Sequence, residues 1–178
     1  MKILDSIHQL AESNNLEFVL IGGHAINAIG DRRQTRDVDL LVCEADKELW
    51  KKILLDMDYE LFNDSKAFMQ FNPEKLEEWP LDILLVNEKT FNELIASASS
   101  VNVGGKKDVL IPSNNHLIAM KLHTLKQGDE IRRLKDLLDI ITLVRHGNID
   151  IESDDFKIMC QDFASNEVYE EIVKLYEK

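Results

Sequence analysis

Residues 18–42 read Phe-Val-Leu-Ile-Gly-Gly-His-Ala-Ile-Asn-Ala-Ile-Gly-Asp-Arg-Arg-Gln-Thr-Arg-Asp-Val-Asp-Leu-Leu-Val. The pattern predicts a buried strand over Leu16–Ile21, a Gly22-Gly23 turn, a short helix from His24 to about Ile29, a basic loop and a second strand over Asp37–Cys43. Asp37 and Asp39 stand at i and i+2 of that strand and so share one face, because strand side chains alternate with period two. Like charges at that spacing repel and call for a cation between them. A Gly-Gly turn opening a helix lets the backbone approach an anion, which the free N–H groups and the helix dipole favour. Leu40-Leu41-Val42 is apolar on both faces, as in an interior strand.

Working outward, Ile3, Leu4, Ile7, Leu10 and Ala11 recur at helical spacing and predict an amphipathic helix ending near Asn14, with His8 beside its apolar stripe as a packing or surface histidine. A second such helix is expected from about Ala45 to Met57, with Leu49, Trp50, Ile53 and Leu54 inward. Tyr59–Asn63 and Ala67–Phe71 read as short strands around a polar turn. Leu81-Asp82-Ile83-Leu84-Leu85-Val86 is a near-continuous apolar strand after Pro80 that carries one charge. An ionised aspartate is costly to bury unpaired, so Asp82 needs a cation, either in a salt bridge or as a third metal-site carboxylate.

Thr90-Phe91-Asn92-Glu93 fits a capping box that starts a helix through Ala98. Val101–Val103, Gly104-Gly105 and Val109–Ile111 suggest a hairpin closed by Pro112. Beyond it the chain reads as helices over about 113–126, 130–145, 154–163 and 166–176, so a boundary falls near Pro112. The expected organisation is a catalytic domain at 1–112 and a helical C-terminal subdomain at 113–178. Lys121 lies four residues from both Leu117 and Leu125 and projects from the apolar face of its helix, where a lysine either meets an anion such as a phosphate or snorkels to the surface. On the next helix Leu134, Leu137, Leu138, Ile141 and Val144 form the expected buried stripe, and Arg132, Asp136 and Asp139 a separate polar face. His116 and His123 have no metal-ligand partner at a recognisable spacing and are read as structural.

The bulk numbers narrow the partners. A chain of 178 residues with 44% hydrophobic and 30% charged content is long enough to bury a core. Its 21 basic and 33 acidic residues leave a net charge of -12, a field that repels polyanions. Nucleic acid is therefore disfavoured as a large substrate, and a cationic or neutral acceptor, or a protein, is favoured. Cys43 and Cys160 lie far apart with no CxxC spacing, which points away from zinc and disulfides. The start Met1-Lys2-Ile3-Leu4-Asp5 lacks a signal peptide's apolar run and no stretch reaches transmembrane length, so no membrane association and a cytoplasmic address are expected.

Three carboxylates from two strands, a glycine turn at a helix start, the arginines of the loop (Arg32, Arg33 and Arg36) and a lysine are a parts list for two-metal phosphoryl or nucleotidyl transfer. The expected cofactor is Mg2+ in a two-metal site, with a nucleoside triphosphate as substrate lying against the Gly22-Gly23 turn. An Asp-x-Asp phosphatase is disfavoured: its aspartates follow a strand, and the Thr expected two residues beyond the second is Leu41 here.

Gly22-Gly23, the spacer 24–36, Asp37-Val38-Asp39 and the later Asp82 resemble the nucleotidyltransferase superfamily with the DNA polymerase beta-like fold. The string Arg33-x-Thr35-x-Asp37-x-Asp39 looks like small bacterial members, both antibiotic-modifying adenylyltransferases and AbiEii/AbiGii-type toxins. Lys121 and Arg132-Arg133-Leu134-Lys135-Asp136-Leu137-Leu138-Asp139 look more like the toxin type. The resemblance implies an α+β fold, a mixed β-sheet flanked by helices and followed by a helical subdomain. It implies that Asp37 and Asp39 bind magnesium, that Asp82 joins them or acts as the base, and that Gly22, Gly23, His24, Arg33, Thr35, Arg36, Lys121 and one of Asp136 or Asp139 serve the nucleotide. A hydroxyl on a small molecule, a protein or an RNA end would accept the nucleoside monophosphate. The alternative is a catalytically silent nucleotide- or partner-binding module of a toxin-antitoxin or regulatory system, with a cognate protein partner.

Overall fold

The computed structural model describes residues 2–30, 33–126 and 130–177. Five strands form a mixed sheet in the order β1-β2-β5-β4-β3: β1 (Val19–Ile21), β2 (Val38–Cys43), β3 (Tyr59–Asp64), β4 (Phe68–Pro73) and β5 (Leu81–Val86). β2 runs parallel to β5, with Asp39 opposite Asp82, and every other neighbouring pair is antiparallel. A separate hairpin pairs β6 (Ser99–Val103) with β7 (Lys106–Ile111). β2 is apolar on both faces along Leu40-Leu41-Val42 because it lies inside the sheet. The α+β expectation therefore describes the observed fold.

Among the described residues there are eight α-helices. Four accompany the sheet: α1 (Lys2–Ser13), α2 (Gly22–Ile29), α3 (Lys47–Asp56) and α4 (Glu88–Ala96). Four follow the hairpin: α5 (Asn114–Thr124), α6 (Glu130–His146), α7 (Asp154–Phe163) and α8 (Asn166–Tyr176). Two compact units result, one from Met1–Ala28 with Arg32–Pro112, the other from Ile29–Asp31 with Ser113–Lys178. In the first, Leu4, Ile7 and Ala11 of α1 and Trp50, Ile53 and Leu54 of α3 are buried, and Phe18 meets the edges of His8 and Trp50. No helix among the described residues is long and apolar enough to cross a membrane.

Several expectations change. α2 begins at Gly22 rather than His24, since the positive φ of Gly22 (64°) turns the chain directly into the helix. β2 begins at Val38, leaving Asp37 just before the strand. α4 is capped by the Asn87 side chain, which accepts from the Thr90 N–H, and not by Thr90. Asparagine is the stronger N-cap, worth about 1 kcal/mol over alanine, and the earlier start carries Phe91 and Leu94 into the core on one helix. Leu49, expected inward, is exposed, as are Leu134 and Leu138 of α6. The inward face of α6 is instead Asp136, Leu137, Asp139, Ile140, Ile141, Leu143 and Val144, because its two aspartates turn toward the half-buried ammonium of Lys121.

Candidate active site

The parallel register of β2 and β5 places Asp39 and Asp82 side by side, and Asp37 joins them from just before β2. One carboxylate oxygen from each of the three can be chosen so that all lie within 4.8 Å of one another. All three side chains are half-buried. An all-oxygen set of ionised carboxylates held at that separation suits a hard divalent cation such as Mg2+. Thr35 Oγ1 donates to Asp37 Oδ1 at 2.8 Å, which orients the carboxylate that lacks a strand of its own.

Both glycines of the turn have a steric reason to be glycine. A Cβ on Gly22 would sit 1.9 Å from Asp39 Oδ2 and 2.5 Å from Asp39 Cγ, and one on Gly23 would sit 2.5 Å from Thr35 Oγ1. The turn that starts α2 is thus packed directly on a candidate metal ligand and on the residue that orients another.

The loop between α2 and β2 is pinned by Asn27, whose Nδ2 donates to the Arg33 carbonyl while its Oδ1 accepts from the Arg33 N–H, each at 2.9 Å. Arg33 is half-buried and its Nη1 donates to the Gln34 carbonyl at 3.2 Å, whereas Arg36 is exposed. Asp31 and Arg32, which belonged to the expected basic loop, lie outside the described residues.

His24 is only 8% exposed, and its ring stacks on Trp79 at 4.8 Å with 24° between planes. Burial holds its pKa below the usual histidine value, against the opposing pull of Asp37 and with a smaller push from Arg33. The ring nitrogen Nε2 is buried with no hydrogen-bond partner. Stacking on Trp79 was not legible in the sequence, since only the fold brings residues 24 and 79 together.

Two further residues extend the carboxylate row. Gln70 of β4 is opposite Asp82, and Asn63 of β3 is opposite Gln70. Gln70 Nε2 donates to Asp82 Oδ1 at 3.1 Å, and Asn63 Nδ2 donates to Gln70 Oε1 at 3.0 Å. The sequence signal for Gln70 was a lone polar residue within Phe68-Met69-Gln70-Phe71.

Lys121, Asp136 and Asp139 come together in the second unit. The Lys121 ammonium lies 2.7 Å from Asp136 Oδ1 and 2.8 Å from Asp139 Oδ2, and Thr124 Oγ1 donates to Asp136 Oδ2 at 2.7 Å. The two carboxylates are 3% and 2% exposed. Burial of such charges is costly unless they are paired, and here a shared cation meets both carboxylates while a hydroxyl meets Asp136. The anions that Lys121 needed are these, from the next helix. The polar face expected on α6 is in this part a buried ionic contact.

The profile of a family described as uncharacterised nucleotidyltransferases matches residues 1–175. No curated protein matches the sequence. Among solved structures, the antibiotic-resistance factor ANT(2'')-Ia, in complex with adenylyl-2''-tobramycin, superposes with a TM-score of 0.70 at 15% identity, covering 91% of this chain and 95% of that one. The lincosamide antibiotic adenylyltransferase LnuA, lincomycin-bound, gives a TM-score of 0.58 at 20% identity, with 80% and 94% covered. An antigenic nucleotidyltransferase-like protein from Paracoccidioides brasiliensis gives 0.57 at 17% identity, with 90% and 85% covered. At these identities the likeness is one of fold, while the profile spans nearly the whole chain. The chain belongs to that nucleotidyltransferase family and is an enzyme of that class.

Proposed function

We propose that the protein transfers a nucleoside monophosphate from a nucleoside triphosphate to a hydroxyl of a small cationic or neutral acceptor, in a reaction that depends on Mg2+. The observation that carries this is the gathering of Asp37, Asp39 and Asp82 against the Gly22 turn. A divalent cation bound by the three aspartates would neutralise triphosphate charge and acidify the acceptor hydroxyl. In this reading Asp37 and Asp39 are the metal ligands, and Asp82 completes the set or takes the acceptor's proton. The acceptor oxygen bonds to the α-phosphorus, the bond to the β-phosphate bridge breaks, and pyrophosphate leaves. Backbone N–H groups of Gly22, Gly23 and His24 at the start of α2 are suited to the phosphates. His24 enters through its backbone, since its ring is buried on Trp79. Thr35 orients Asp37, and the Arg33 and Arg36 guanidiniums are the side chains proposed to meet the triphosphate.

Lys121 has two carboxylates at hydrogen-bond distance, which makes its ammonium a poor match for a phosphate. We assign Lys121, Asp136 and Asp139 to the support of the second unit. The net charge of -12 favours a cationic acceptor over a polyanion, and the antibiotics held by the two similar adenylyltransferases are small molecules. The same reading puts the enzyme in the cytoplasm, where nucleoside triphosphate is supplied.

The test is incubation with Mg2+ and each α-labelled nucleoside triphosphate, against aminated small molecules, total RNA and total protein. Label transfer with matching pyrophosphate release, lost in Asp39→Asn, is expected. Nucleotide binding with no pyrophosphate released for any acceptor would favour the silent binding module instead.

A further inference from the structure

We propose that Gln70 and Asn63 form a positioning relay that fixes the Asp82 carboxylate for the cation, an inference that rests on the metal-site reading of the aspartates. Asp39, Asp82, Gln70 and Asn63 are consecutive cross-strand partners on β2, β5, β4 and β3. They occupy one row across four strands of a single sheet. Such directly opposed side chains are the closest neighbours a sheet provides.

The direction of the relay follows from the carboxylate. An ionised Asp82 has only acceptor oxygens, so Gln70 must turn its NH2 toward it, as Nε2 does at 3.1 Å from Oδ1. That leaves Oε1 facing β3, where only a donor satisfies it. Asn63 supplies one through Nδ2 at 3.0 Å. Each amide orientation is dictated by its neighbour, and the series ends on Asp82.

The sheet is built irregularly to deliver Asn63. Leu61 pairs with Phe71, and regular antiparallel pairing would set Phe62 opposite Gln70. The register shifts between Leu61 and Asn63, so Phe62 is passed over and left 55% exposed, and Asn63 takes the place beside Gln70. Bulges commonly re-aim a side chain beside an active site, and this one exchanges an aromatic ring for an amide in the carboxylate row. An exposed phenylalanine at a sheet edge is an unfavourable way to satisfy packing alone.

The test uses Mn2+ alone, with free ion followed by electron paramagnetic resonance, on the full chain and without a turnover assay. Gln70→Leu removes the donor while keeping a bulky strand side chain, and should weaken Mn2+ binding by roughly 10–100-fold, the usual effect of losing an outer partner of a ligating carboxylate. Asn63→Asp separates the relay from plain electrostatics. An added negative charge by itself would tighten a cation, whereas a carboxylate beside Gln70 draws the NH2 toward itself and turns Oε1 onto Asp82, so the relay requires weaker binding. Unfolding midpoints accompany each variant, and Gln70→Met replaces Gln70→Leu if the latter fails to fold. Asp39→Asn is the control. If it loses Mn2+ while both Gln70→Leu and Asn63→Asp keep the wild-type affinity, the relay is overturned and the metal site stands. If Asn63→Asp binds more tightly, the relay is likewise overturned. If Asp39→Asn itself binds Mn2+ like wild type, the metal reading fails and the relay with it.

Discussion

Gly22→Ala perturbs the fold and the proposed chemistry at one atom. Gly22 has φ of 64°, a left-handed conformation that costs an L-residue about 1–2 kcal/mol. The new methyl would also lie 1.9 Å from Asp39 Oδ2 and 2.9 Å from Asp39 Cβ, far inside van der Waals contact, so Asp39 must leave its rotamer at about 0.5–1.5 kcal/mol more. The sum is about 1.5–3.5 kcal/mol, and at about 2–4 °C per kcal/mol for a chain of this size the melting temperature should fall by about 3–14 °C. The larger effect is on binding: a displaced Asp39 should weaken Mn2+ at least about tenfold. Gly105→Ala is the matched control, since Gly105 also has positive φ (92°) but no atom within 4 Å of a Cβ. It should carry the backbone cost alone and leave Mn2+ untouched. Calorimetry and Mn2+ titration of both variants provide the assay. Indistinguishable behaviour of the two in both measurements would refute the close approach of Gly22 to a working ligand.

Lys121→Met should cost about 3–5 kcal/mol in urea unfolding, because it removes the ammonium that both buried carboxylates, Asp136 and Asp139, share, and adding Asp136→Asn and Asp139→Asn should return part of it. A stability within about 0.5 kcal/mol of wild type would return Lys121 to other roles. His24 is held neutral by burial, so below pH 6.5 the unfolded chain takes up a proton that the folded chain resists, and stability must fall as pH drops from 6.5 toward the lowered folded value. Urea midpoints at pH 7.5 and 5.0 should therefore differ more for wild type than for His24→Gln, and an equal difference would contradict the assignment. Burial pushes the Cys160 thiol up to about 12 and Cys43 is also buried, so a thiol reagent at pH 8 should label neither quickly until urea is added. One rapid equivalent in the folded protein would be the contrary result.

Local patterns foretold what local physics decides. Leu81–Val86 stood out as one charge in an apolar run, and Asp82 proved to be at the centre of the carboxylate row. The pair Asp37 and Asp39 was legible for the same reason, a period of two at the edge of an apolar strand. The steric demand on Gly22 was not, because it comes from an Asp39 side chain that only the β1–β2 pairing brings near. Lys121 was read as meeting an anion, and the pair of aspartates that meets it on α6 was not paired with it in the sequence, nor was the exposure of Leu134 and Leu138 on the same helix foreseen. Thr90 lost the cap to Asn87 because two capping residues stood within one turn and the sequence does not rank them by what each start would bury. The pairing of Asn63 with Gln70 was hidden by a register shift, a property of two strands at once.

The most direct test of the central claim is the anomalous scattering of Mn2+ in crystals of the protein. The expected result is a peak between Asp37, Asp39 and Asp82, with carboxylate oxygens of Asp37 and Asp39 about 2.1 Å from it, and its loss in Asp39→Asn. Mn2+ density elsewhere on the chain, with none among these three aspartates, would contradict it.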